Sequence, residues 1–162
     1  MSLVKDIVAT YRGPRKVVRR LLGQGQQEAR AFMYVFLACA LIFVAQWPRL
    51  RREAHFDETV PYEALIGGAL MGWIFIAPLA LYVVALLSHW IARAFRASGE
   101  AYGARVALFW ALLAATPLWL FYGLVQGMIG PSPITTITGA AAFAVFAWFW
   151  TMGLREAEWP NT

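Results

Sequence analysis

The sequence predicts an all-α polytopic membrane bundle of about four transmembrane helices, led by an interfacial amphipathic helix. Three observations predict it. First, 60% of the 162 residues are hydrophobic, eight of them Trp, and the mean hydropathy is +0.57, an apolar content that suits lipid better than a soluble domain of this length. Second, the apolar residues gather in four runs, 32–47, 64–92, 106–128 and 134–154, with nearly all charge outside them. Third, the charges alternate in sign balance between the runs. Seven of the fourteen Lys and Arg precede the first run, and four spans with an inside N-terminus put eleven cations on the cytoplasmic side and three outside.

A helix needs about 20 apolar residues to cross a hydrocarbon core of roughly 30 Å, so the last three runs span alone. The shorter first run spans with little tilt or in a thinned bilayer. Before it lies a basic arm, 1–31, with two repeats of one pattern. Leu3, Val4, Ile7, Val8 and Tyr11 share a stripe, as do Val17, Val18, Leu21 and Leu22. In the second piece Arg15, Lys16, Arg19 and Arg20 take the opposite arc, Pro14 suits the first helical position, and Gly23 suits the residue after the end. This helix is expected to lie on the anionic leaflet with its cations on lipid headgroups. No cleavable leader is expected ahead of the first run.

The first loop, "PRLRREAHFDETVPYE", is polar, mixed in sign and bracketed by prolines; His55, Asp57 and Glu58 are expected to be solvated in it rather than to hold a metal. The second apolar stretch is about 30 residues long, more than the hydrocarbon requires, and Pro78 permits a kink. Its end, with His89, Arg93 and Arg96 on one face, belongs at the headgroups, the arginines snorkelling and His89 bonded to a neighbouring helix. The turn "RASGEAYG" follows, Tyr102 and Arg105 anchoring the third span. Arg93, Arg96 and Arg105 are a second candidate headgroup site. Ser132 is a candidate cap for the fourth span, and 155–162 reads as a short polar tail. Two glycine pairs, Gly68 with Gly72 and Gly123 with Gly127, leave shallow grooves where another helix can approach, either one of this chain or a partner's.

The order of a basic lead-in "GPRKVVRRLLG", a span, a second span ending "LSHWIARAF", a turn "SGEAYG" and a proline-bearing span "VALFWALLAATPLWL" resembles the Yip-domain family, in particular its short bacterial members. The resemblance implies an all-helical membrane domain with a cytoplasmic N-terminus and a role in organising or shaping membranes. Eukaryotic relatives interact with Rab-type GTPases, but their signature Asp-Leu-Tyr-Gly-Pro is absent here. The family commonly has five spans, which a split at Pro78 would supply; the charge count favours four.

Chemistry is not expected. The runs hold no Asp, Glu, Lys or Arg at depth, and Ser88 and His89 are adjacent on a helix, about 100° apart, so they form no dyad. Gly67, Gly68, Pro78 and Pro117 break helices without the polar residues a substrate site needs. The lone Cys39 supports neither a disulfide nor a cysteine metal cluster, and no cofactor is expected. A non-catalytic membrane-organising or scaffolding protein is the leading expectation, with an accessory subunit of a respiratory, photosynthetic or transport complex next and a small transporter behind. The expected partners are anionic lipids and another membrane protein or a second copy, not nucleic acid. Twelve Arg against two Lys, with abundant Ala, points to the inner membrane of a bacterium.

Overall fold

The computed structural model describes residues 3–57 and 59–159, all helix and turn. The helices are α1 (Leu3–Arg12), α2 (Pro14–Leu22), α3 (Glu28–Phe56), α4 (Tyr62–Leu70), a π-helical segment Met71–Ile76, α5 (Ala77–Ala94), α6 (Ala101–Ile129) and α7 (Pro133–Glu158). Four are long and apolar enough to cross a membrane: α3, the continuous helix Tyr62–Ala94, α6 and α7. The chain is not split at Pro78. Proline has no amide to close the turn onto residue 74, and the helix answers by widening into the π-helical segment just before it, in place of a break.

The core is α6. From Val106 to Thr116 every side chain is buried, between α3 on one side and α7 on the other. Pro117 stands inside this helix without ending it. Its missing amide frees the carbonyl of Leu113, and Thr116 Oγ1 donates to that carbonyl at 2.7 Å. Small residues bring α6 and α7 together, since a Cβ on Gly103 would lie 3.1 Å from that of Ala157, and one on Gly153 3.4 Å from that of Ala107.

Three expectations change. The polar first loop is mostly helix, because α3 runs through Pro48 to Phe56; Leu50 is buried, and Arg49 Nη1 meets Glu53 Oε2 one turn on at 3.0 Å. The connection shrinks to 57–61, where Thr59 donates to Asp57 Oδ1 from both N and Oγ1 and so holds that carboxyl below its usual range. His55 is exposed there, and Glu58 lies outside the described residues. Second, residues 155–158 are no tail: α7 continues to Glu158, with Glu156, Ala157 and Glu158 buried.

Third, the arm belongs to the bundle. The apolar face of α2 is not left for lipid, because Val17, Val18 and Leu21 are 4%, 1% and 3% exposed and join the core beside α7. In α1, Thr10 is fully buried, donating to Asp6 O at 2.8 Å and accepting from Trp110 Nε1 at 3.0 Å. The Tyr11 hydroxyl donates to Ala114 O at 3.1 Å, and burial pushes its pKa up. An amphipathic stripe needs an apolar surface, and the seam of α6 and α7 supplies one as well as a bilayer does. Ser132 does cap α7, its Oγ accepting from Thr135 N.

Candidate functional site

Four antiparallel spans bring the arm, the α5–α6 turn and the last turn of α7 to one end of the bundle. A buried polar cluster forms there. Glu156 accepts from Arg19 Nε at 2.5 Å and has Arg15 Nε at 3.4 Å, two arginines one turn apart on α2. The hydrogen bond from Arg19 to Glu156, with their opposite charges, raises the pKa of that already strong base. Two residues on, Glu158 is fully enclosed. Its Oε1 lies 2.7 Å from His89 Nδ1, also buried, while its backbone oxygen accepts from Ser98 N and Gly99 N at 3.1 and 3.2 Å. Gly99 is required by this contact, since a Cβ there would sit 2.6 Å from Glu158 Cα. His89 is thus bonded to a neighbouring helix, as its place at the end of a span predicts.

The headgroup candidates part company. Arg15 and Arg19 serve Glu156, Arg20 Nη2 binds Asp6 Oδ1 at 2.6 Å, and Arg105 pairs with Glu28. Lys16, Arg93 and Arg96 are exposed, and no hydrogen bond or ion pair engages their side chains among the described residues. Arg96 closes α5 with a φ of 62°, the left-handed position where glycine is usual, and Ala97 N bonds Ala92 O behind it.

The glycine pairs also separate. Gly123 and Gly127 lie against α3: a Cβ on the first would be 2.8 Å from the carbonyl carbon of Ala45, and one on the second 2.8 Å from that of Pro48. They pack this chain's own spans. Around Gly67, Gly68 and Gly72 a Cβ would meet nothing within 4 Å. The span that carries them is the least embedded, with 11% of its most apolar 18-residue window buried against 56% in α6.

Glu156, Glu158, Thr10 and Trp110 escaped the sequence reading. The signal for Glu156 was present: a carboxylate follows the fourth apolar run at the end where eleven cations collect, so a charge pair there was the electrostatic expectation. No family model, curated protein or solved structure matches this chain, so its own geometry carries the functional inference.

Proposed function

We propose that this chain is a non-catalytic multi-pass membrane protein that holds a partner transmembrane helix on the open face of its second span. One observation carries the reading. Gly67, Gly68 and Gly72 each give up about 1 kcal/mol of helix propensity relative to alanine, and no close approach within the chain offsets it. A second helix seated in that groove would, because close backbone approach is what small residues supply in lipid. The two buried carboxylates are engaged at the arm end by Arg15, Arg19 and His89, which suits a structural role for them. The resemblance to the Yip-domain family supports a membrane-organising task. The arm end is cytoplasmic on the charge distribution, and the membrane is the bacterial inner membrane on composition.

Leucine at the four paired glycines tests this. Gly68→Leu and Gly72→Leu should keep wild-type thermal stability in detergent and lose the cross-linked partner or dimer. Gly123→Leu and Gly127→Leu should instead reduce folding and yield, each leucine driving into the α3 backbone at a cost of about 1–3 kcal/mol or more. Wild-type assembly in the first two variants would remove the basis for the reading. A partner that proves to be a stoichiometric subunit of a larger complex would make the chain its accessory subunit.

A further inference from the structure

We propose that the cleft between α1 and α2 binds the phosphodiester headgroup of an anionic membrane lipid. Lys5 and Arg12 line it from α1, Lys16 and Arg20 from α2, around a space of about 360 Å³. Arg20 has a carboxylate, Asp6. Lys5, Arg12 and Lys16 are exposed, and no ion pair or hydrogen bond engages them among the described residues. The nearby carboxylates are already taken, Asp6 by Arg20 and Glu156 by Arg15 and Arg19 on another side of α2.

Three unneutralised cations converging on one cleft repel each other, and an anion between them reverses the sign of that interaction. Orientation in the membrane accounts for how many cations the arm carries, though not for their convergence. A phosphodiester suits the set, since lysine serves as a point charge and arginine presents a fork of donors to phosphate oxygens. The neighbouring surface selects a lipid over a soluble phosphate. Val4 and Val8, 66% and 56% exposed on α1, make an apolar strip beside the cations, and Val8 also lines the cleft. Such a strip has no use for a free anion and offers an acyl chain a track. This site differs from the headgroup set read from sequence, of which only Lys16 is free within the cleft, and it is independent of the partner-helix reading.

The test uses the full chain in mild detergent with phosphatidylglycerol and phosphatidylcholine supplied in equal amounts, bound lipid being counted by native mass spectrometry. Wild type should retain phosphatidylglycerol preferentially. The triple variant Lys5→Gln, Arg12→Gln, Lys16→Gln should lose that preference by about tenfold or more. Its three side chains are exposed, so thermal stability should hold. The variant Arg93→Gln, Arg96→Gln, which removes free charge from the same end outside the cleft, should keep the preference. Should the triple variant fold poorly, a phosphatidylglycerol analogue with a photoreactive headgroup on the wild-type protein decides instead, and labelling should fall in residues 4–20. Unchanged retention in the triple variant, equal loss in the Arg93 and Arg96 variant, labelling confined to other segments, or displacement of the lipid by glycerol phosphate at equal concentration would each overturn the proposal.

Discussion

Glu158 is the residue on which three segments meet. Its carboxylate takes His89 of α5, its backbone oxygen takes the turn at Ser98 and Gly99, and its side chain is wholly enclosed. Glu158 Oε2 finds no hydrogen-bond partner among the described residues. A buried carboxylate with one partner is sensitive to losing it. His89→Leu should therefore destabilise the protein by about 1–3 kcal/mol, more if the carboxylate stays ionised. Removing both groups leaves nothing unpaired, so the double variant His89→Leu, Glu158→Leu should cost clearly less than the sum of the singles. Thermal unfolding in detergent of the four proteins gives the coupling, and strict additivity would mean that the pair contributes nothing. His89 was legible in the sequence as a polar group at the end of a span. Glu158 was not, because a glutamate beyond the fourth apolar run has the composition of a solvated tail, and its enclosure rests on His89 and the Ser98–Gly99 turn, partners distant in sequence.

At the scale of elements, α2 shows where pattern reading stops. Its stripe of Val17, Val18 and Leu21 was plain from spacing, yet the same stripe fits a bilayer surface and a protein groove equally. What decides is the shape of the receiving surface. Gly153 on α7 and Ala107 on α6 leave room for Val18, whose Cγ2 would lie 3.2 Å from a Cβ on Gly153. The two readings predict opposite results. If α2 were held by lipid charge alone, replacing Arg15, Lys16, Arg19 and Arg20 with Gln would free it. With its apolar face in the core, the arm should stay docked after that change, although the protein should lose about 1–3 kcal/mol because the buried Glu156 carboxylate is left without Arg15 and Arg19. Val18→Asp should release it, since an unpaired carboxylate cannot be buried there at tolerable cost. Hydrogen exchange of residues 14–22 in lipid nanodiscs reads both outcomes, and a freed arm in the Gln variant would return α2 to the membrane surface.

For the whole molecule, hydropathy carried most of the topology: four runs in the sequence became four helices long and apolar enough to cross a membrane, and the continuous helix Tyr62–Ala94 is not split into two among the described residues. The extension of α3 past Pro48 and of α7 to Glu158 was not visible, because the polar residues there read as loop until their partners on other segments are known. An even number of spans has a consequence that composition and structure reach independently. Charge counting places eleven cations on one side and three on the other, and the ion pairs of Glu156 with Arg15 and Arg19 tie the last turn of α7 to the arm. These contacts cannot form across a bilayer, so the arm and the end of α7 share one side whichever way the protein inserts. Reporters fused to each end of the chain should both be active in the cytoplasm, while tags placed in the 57–61 loop and at Pro131 should be reached only from outside. Opposite locations for the two ends would break the Glu156 ion pairs and the four-span count together. Both ends outside would leave the fold intact and overturn only the orientation inferred from charge.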